Sequence, residues 1–148
     1  MLSFVRHVTT DAPVEEVHAY LSDFRNVGEW DPRARAVSRA RRAGRVEPEY
    51  RCEVSFAGRT VPMRYTVIDL VPDERIEWIG DSSWVRAHDV IRLRERGGAT
   101  EVEYTTQYRY RRVGWLLDRL LGPAVSRLCD DARDGLQATL DRRSGATG

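Results

Sequence analysis

The carboxylate of Asp89 has the sequence position of a group that does chemistry inside an apolar cavity. The segment from residue 84 alternates, so its basic residues share one face and its apolar residues share the other. The outward set is Arg86, His88, Arg92 and Arg94, and the inward set is Val85, Ala87, Asp89, Ile91 and Leu93. Burial raises the pKa of a carboxyl group, which then holds a ligand hydroxyl or acts as a general base. Two alternatives stay open: a β-bulge turns Asp89 outward, or an arginine partner makes it structural.

Aromatic residues with polar tips occur on the same predicted face of several strands. They are Tyr50, Tyr65, Trp78, Tyr104 and Tyr108. An apolar wall with a few polar tips suits a flat or lipid-like ligand, in an enclosed pocket of about a few hundred Å³. If Asp89 is a base, Tyr104 is the candidate proton donor. The alternative is that these rings fill the core and hydrogen-bond one another.

The long apolar-periodic segment near the C-terminus must cover this face. Residues 113–142 predict one helix of about 30 residues, bent at Gly122-Pro123 because proline lacks the N–H that the helix needs. The helical residues expected to line the ligand are Leu120, Ala124, Leu128 and Ala132. The small size of Ala124, Ala132 and Gly135 predicts room for a cavity.

The remaining elements follow from alternation and turn signals. Residues 2–10 read as a strand, followed by a helix to about residue 22 and a short helical turn over 24–28. Six further strands are predicted at 33–41, 46–56, 60–71, 74–80, 84–95 and 100–111. Short turns between consecutive strands indicate an antiparallel meander.

Composition narrows the function classes. The 148 residues suffice for one domain, and the net charge of +1 gives no global attraction to nucleic acid or anionic membrane. All 24 basic residues are arginine, which excludes a Schiff-base lysine and suggests a GC-rich, bacterial coding sequence. Cys52 and Cys129 form no disulfide framework, and no histidines have metal-ligand spacing, so no metal is expected. Without a signal peptide or a long apolar run, we expect a cytoplasmic location.

An arginine-rich segment at 33–45 contributes six positive charges within 13 residues. Its members are Arg33, Arg35, Arg39, Arg41, Arg42 and Arg45. One interpretation is an RNA or phosphate patch. The favoured interpretation is an exposed edge strand that uses charge to block strand pairing, because no aromatic residue is interleaved to stack on bases.

With these elements in order, the chain resembles the START-like (SRPBCC) superfamily, in its polyketide cyclase/dehydrase-type branch. The motifs that carry the resemblance are TTDAPVEEVHAYLSDFRNVGEWDP, YTVIDLVPDERIEWIG and IRLRERGGATEVEYTTQYRY, which leads into VGWLLDRLLGPAVSRL. The resemblance spans residues 3 to about 142. It implies an α+β helix-grip fold: a seven-stranded curved antiparallel sheet, with two short helices after the first strand, wrapped around a long kinked C-terminal helix. We expect a single ligand-binding domain over 1–143 and a loose tail over 144–148.

The resulting first hypothesis is a protein that binds a lipid-like or polyketide-like small molecule without a cofactor. Its expected partners are that ligand alone, with no nucleic acid and no stable membrane insertion, and it is a monomer or homodimer. The alternative is a cofactor-independent aromatase/cyclase or dehydratase acting on a poly-β-keto chain. A third is a protein- or ribosome-contact module. A buried Asp89 with a raised pKa and a tyrosine in reach favours the enzyme; a filled core favours the contact module.

Overall fold

Within residues 1–42, 45–56, 59–111 and 114–146, which the computed structural model describes, seven strands form one curved antiparallel sheet. Residues 41, 42, 45–48, 56, 114–118 and 146 are described by their backbone alone. The strands are β1 Leu2–Thr10, β2 Ala34–Arg42, β3 Arg45–Phe56, β4 Arg59–Val71, β5 Arg75–Asp81, β6 Val85–Arg96 and β7 Ala99–Tyr110. Their spatial order is β1-β7-β6-β5-β4-β3-β2, so β2 to β7 form a meander and β1 pairs with β7 at one edge of the sheet.

Three α-helices occur in the same part of the chain: α1 Val14–Ser22, α2 Val27–Trp30 and α3 Gly114–Ala146. A 3-10 turn, Phe24–Asn26, joins α1 to α2. The two short helices after the first strand, the meander and the long final helix confirm the predicted α+β helix-grip fold. The strand bounds lie within one residue of those predicted from alternation and turns. The turns predicted at residues 43–44 and 57–58 lie outside the described residues.

The strand register places the inward polar residues side by side. Asp89 on β6 lies opposite Trp78 on β5 and opposite Thr106 on β7, so all three share the inner face. Tyr65 on β4 lies opposite Gly80 on β5. A Cβ at residue 80 would lie 2.5 Å from the Tyr65 ring, so the glycine leaves the room that this ring occupies.

Helix α3 covers the sheet mainly with its C-terminal half. Its buried stripe, Val125, Cys129, Ala132, Leu136, Thr139 and Leu140, packs against β1, α2 and β7. The prediction that Leu120 and Ala124 face inward is wrong, since Leu120 is 67% exposed and Ala124 is also exposed. The apolar residues of α3 form two rows along the surface of the helix. The rows are about 100° apart, because each residue is rotated by that angle from the one before it, and the sheet covers only one row. The side chains of residues 113, 116 and 117, which we assigned to the same stripe, lie outside the described residues.

Two further details of α3 differ from expectation. The space at Gly135 is not a cavity: a Cβ there would lie 2.0 Å from the carbonyl oxygen of Trp30, so the glycine lets α3 approach α2 closely. The helix also continues through Ser144, into the segment 144–148 that we expected to be a loose tail.

Pro123 lies inside the helix, and the bend predicted beside it stays a prediction.

Candidate functional site

Asp89 lies on the inner face of the sheet and is 4% exposed, so no bulge turns it outward. Its Oδ2 atom accepts a hydrogen bond of 2.9 Å from the indole Nε1 of Trp78. Among the described residues its Oδ1 atom forms no well-directed hydrogen bond, and neither does the buried hydroxyl of Thr106 on the neighbouring strand, although that hydroxyl lies within reach of the Asp89 carboxylate. Burial raises the pKa of the Asp89 carboxyl group, although Thr106, Trp78, Arg33 and Tyr104 are close enough to oppose that shift. Asp89 is therefore a buried carboxylate with one acceptor atom that forms no well-directed hydrogen bond in the described part of the chain.

Phe24 fills the centre of the inner aromatic cluster. Its ring stacks on Tyr65 with 4.5 Å between centroids, meets Trp78 edge-on at 5.1 Å and is tilted against Tyr50 at 5.4 Å. The side chain is 2% exposed and comes from the 3-10 turn rather than from the sheet. Three predicted site residues thus share one partner, which the sequence pattern did not identify.

A buried ion pair lies beside this cluster. Arg33 donates from Nη2 to Oδ2 of Asp31 over 2.7 Å, and the two side chains are 10% and 8% exposed. The Nη1 atom of Arg33 donates to the hydroxyl of Tyr108 over 3.1 Å. The prediction that Arg33 belongs to an exposed edge strand is therefore wrong; Asp31, two residues earlier, holds it inside. The side chains of residues 41, 42 and 45, also counted in that segment, lie outside the described residues.

The ion pair also separates two small cavities. The larger, of about 20 Å³, lies between the sheet and the segment from Phe24 to Ala34, and Asp89, Tyr65 and Tyr108 contribute to its wall. The smaller, of about 10 Å³, lies between the sheet and α3, with Thr106 and Ala132 in its wall. Arg33 and Tyr104 line both cavities. Neither approaches the expected few hundred Å³, because Phe24 and Arg33 fill the space. The structure therefore has the filled core that we gave as the alternative to an open cavity.

The remaining predicted site residues are spread more widely. Tyr50 is buried against Phe24, and Leu128 is half-buried; neither lines the two cavities. Leu120 and Ala124 lie on the exposed side of α3, away from the cluster. The residues brought together are Tyr65, Trp78, Asp89, Tyr104, Tyr108 and Ala132. Their role in binding stays a prediction.

Burial also decides the protonation of the other groups in the cluster. It raises the pKa of Tyr65, Tyr104 and Tyr108, so each tyrosine keeps its proton near neutral pH. Burial raises the pKa of the Cys52 thiol to about 12 and that of Cys129 to about 11, which makes both poor nucleophiles. The cluster can hold and orient polar groups, and Asp89 with Tyr104 can exchange a proton with a ligand.

Other site types are not formed by the described residues. In residues 1–42, 45–56, 59–111 and 114–146, no three His, Cys, Asp or Glu side chains converge as metal ligands do. Among the helices of these residues, none combines the length and the apolar character of a membrane span.

Fold and cluster together define a class of protein: an α+β domain in which a curved sheet and a long final helix enclose aromatic and polar side chains. The sequence pattern of the family described as "Polyketide cyclase / dehydrase and lipid transport" matches residues 1–141. The chain belongs to this family, whose fold is START-like. No curated protein gives a significant sequence match.

Solved structures agree with this assignment at the level of the fold. The Zhui aromatase/cyclase of Streptomyces sp. R1128 is 18% identical, with a TM-score of 0.79 over 99% of this chain and 98% of that one. A START superfamily protein of Mycobacterium smegmatis is 16% identical, with a TM-score of 0.73 over 99% of each chain. A protein of Thermus thermophilus is 18% identical, with a TM-score of 0.71 over 99% of each chain.

Proposed function

We propose that this protein binds a hydrophobic small molecule between the inner face of the sheet and the helices that cover it. The observation that carries the proposal is the ring cluster around Phe24. Side chains from three strands, Tyr50, Tyr65 and Trp78, contact one ring supplied by a three-residue 3-10 turn. A pocket of aromatic faces with hydroxyl and indole tips suits a flat apolar ligand. Membership in a family that includes lipid transport supports the same proposal.

The ligand ring takes the position of Phe24 in this proposal. Cavities of about 10 and 20 Å³ hold an oxygen atom but no ring, so a ligand needs space that a side chain now fills. A hydrogen bond helps to hold the turn that carries Phe24 in place. Asn26 donates it from Nδ2 to the carbonyl oxygen of Tyr20 over 2.8 Å. Displacement of the turn exposes the faces of Tyr65 and Trp78 to the ligand.

The test is uptake of the neutral, environment-sensitive dye Nile red by matched variants. Ala132 is buried in the wall of the smaller cavity, so Ala132→Leu fills the space and should weaken dye binding at least tenfold. Overpacking costs about 1–3 kcal/mol of stability, which thermal unfolding monitors. Phe24→Leu shortens the side chain that the ligand must displace and should strengthen binding.

The matched control is Ala138→Leu, the same change at an exposed position of the same helix. It should leave dye binding unchanged. If Ala132→Leu and Ala138→Leu bind the dye like the unmodified protein, and Phe24→Leu in the wall of the larger cavity also leaves dye binding unchanged, the proposed site is wrong.

A second candidate function is a cofactor-independent cyclase or dehydratase. One observation favours it: the buried Asp89 carboxyl group has a raised pKa and lies near Tyr104, as an acid–base pair requires. The family description and the activity named for the Streptomyces structure are compatible with this candidate. The two functions differ in what Asp89→Asn changes: turnover if Asp89 is a base, affinity if it holds the ligand.

A further inference from the structure

Two buried polar atoms on neighbouring strands form no well-directed hydrogen bond with a described residue: Oδ1 of Asp89 and Oγ1 of Thr106. The Thr106 hydroxyl lies within reach of the Asp89 carboxylate and opposes the rise of its pKa, so a hydroxyl placed between the two groups would bond to both. The residues lie directly opposite each other on β6 and β7, so their side chains leave the sheet on the same face about 5 Å apart. Asp89 is 4% exposed and Thr106 is 2% exposed. An unsatisfied polar group at such depth is costly, and two adjacent ones indicate a position for a third polar group.

The space beside these atoms has the size of one oxygen atom. Asp89 lines the cavity of about 20 Å³ and Thr106 lines the cavity of about 10 Å³, and Arg33 and Tyr104 line both. The two atoms therefore lie near the junction of the cavities. A volume of about 10–15 Å³ is enough for one water-sized oxygen.

The chemistry of the two atoms restricts what binds there. A carboxylate oxygen only accepts a hydrogen bond, whereas a threonine hydroxyl can also donate one. A hydroxyl is a single group that donates to Asp89 and accepts from Thr106. A carbonyl or ether oxygen cannot donate. An ammonium group is opposed by the guanidinium of Arg33 in the same wall, and an anion by Asp89 itself.

We propose that Asp89 and Thr106 form a subsite that selects apolar ligands bearing a neutral hydroxyl group, such as a phenol or an alcohol. This inference rests on the proposed function, because the subsite binds the hydroxyl group of a ligand whose apolar part binds among the aromatic rings. Asp89 and Thr106 are thereby specificity-determining residues: they contact the ligand hydroxyl, and the rings contact the rest.

The test compares two probes with the same ring system, 2-naphthol and 2-methoxynaphthalene, as competitors of Nile red. The ether carries an extra methyl group, and a preference caused only by the size of that group would survive in Asp89→Asn and Thr106→Val, which keep the side-chain volumes. Only the naphthol donates a hydrogen bond. The unmodified protein should bind it about tenfold more tightly than the ether, the size expected for one hydrogen bond to a charged group. Asp89→Asn and Thr106→Val should each reduce this preference to less than about threefold, because each weakens the binding of the naphthol more than that of the ether.

The matched control is Thr105→Val, which removes a hydroxyl from the adjacent residue of β7 on the opposite face. It should keep the full preference for the naphthol. Equal displacement of bound Nile red by the two probes, or a preference that survives in both Asp89→Asn and Thr106→Val, would overturn the hydroxyl subsite alone. Failure of the unmodified protein to bind Nile red would instead remove the proposed function, and this inference with it.

Discussion

The two faces of strand β6 satisfy their polar groups in opposite ways. On the outer face His88 contacts Glu77 at 2.5 Å, and Arg92 lies 3.7 Å from Glu103. On the inner face the next residue along, Asp89, accepts a well-directed hydrogen bond on one carboxylate oxygen, whereas the other oxygen has no such bond in the described part of the chain. Charged groups in water cost little whether or not they are paired, whereas a buried one costs several kcal/mol unless it is satisfied. An incompletely satisfied group on the costly face is the better indication of function.

The empty space on the two faces is also different in kind. An open groove of about 910 Å³ crosses the outer face, lined by charged residues such as Glu74, Arg75 and Arg94. The inner cavities, of about 10 and 20 Å³, are far smaller, but aromatic rings and buried polar atoms line them. Chemical character, more than volume, therefore distinguishes the candidate site from a solvated surface groove.

The largest expected effect comes from the buried ion pair. Asp31→Asn keeps the shape of the side chain but leaves the Arg33 guanidinium buried without a counter-charge, which should cost about 3–5 kcal/mol of unfolding free energy. The same change at Asp81, whose carboxylate pairs with Arg111 where the side chains are 33% and 47% exposed, should cost about 1 kcal/mol or less. Urea unfolding of the two variants measures the difference.

The double variant Asp31→Asn/Arg33→Met sharpens this contrast. It removes the charge that Asp31→Asn leaves behind, so it should be more stable than Asp31→Asn alone. Equal losses at Asp31 and Asp81 would show that the inner and outer ion pairs are energetically alike.

A pH-dependent effect of intermediate size is expected at Asp89. Burial raises its folded-state pKa above the ordinary value of 3.8, so below that value the group is protonated in both states and contributes no pH dependence. As pH rises from about 3.8 through the folded-state pKa, the unfolded state ionises first and stability falls. Asp89→Asn removes this loss, so the stability of the variant relative to the unmodified protein should increase as pH rises above about 4 and level off above the folded-state pKa.

Each pKa unit of the shift corresponds to about 1.4 kcal/mol of this change. Urea unfolding at several pH values measures it, and Thr105→Val, which changes no titratable group, is the control. A relative stability that decreases with pH would mean that the Asp89 carboxylate is favourably paired in the folded protein.

The smallest effect is expected on the outer face. Glu77→Gln breaks the contact with His88 where that side chain is 39% exposed, and it should change the free energy of unfolding by less than about 1 kcal/mol. The change should shrink further at about 1 M salt, because salt screens exposed charges. A loss as large as that from Asp31→Asn would remove the distinction between the two faces.

The sheet was predictable because its signals are local. Alternation assigned Asp89 and Trp78 to the same face, and glycine- and aspartate-containing turns gave the strand bounds to within one residue. Helix α3 was predictable as a helix, but the apolar residues at 120 and 124 gave no sign that the sheet covers only the neighbouring row. Which row is covered depends on how α3 packs against β1, a contact between the two ends of the chain.

The site was predictable only in part for the same reason. Alternation identified Asp89 and the tyrosines, but Phe24 reaches them through a tertiary contact from a 3-10 turn. Arg33 begins a run of arginines that resembles a solvated edge, and its burial depends on pairing with Asp31. A carboxylate two residues before an arginine, after the apolar Trp30, was the available signal. The expected cavity volume was wrong because the fold alone does not determine which side chains fill it.

The pairing of the first strand with the last one has a consequence for how the chain folds. β1 lies at the edge beside β7, and α3 crosses back to it through Arg6 with Asp130 and Gln137 with Thr9, contacts that join residues 124 and 128 positions apart. On the ribosome the meander from β2 to β6 can pair as it emerges, while β1 waits for a partner made much later in the chain. Contacts between segments so far apart in the sequence slow folding. The inner face is therefore completed only once β7 and α3 have been made and have packed against β1.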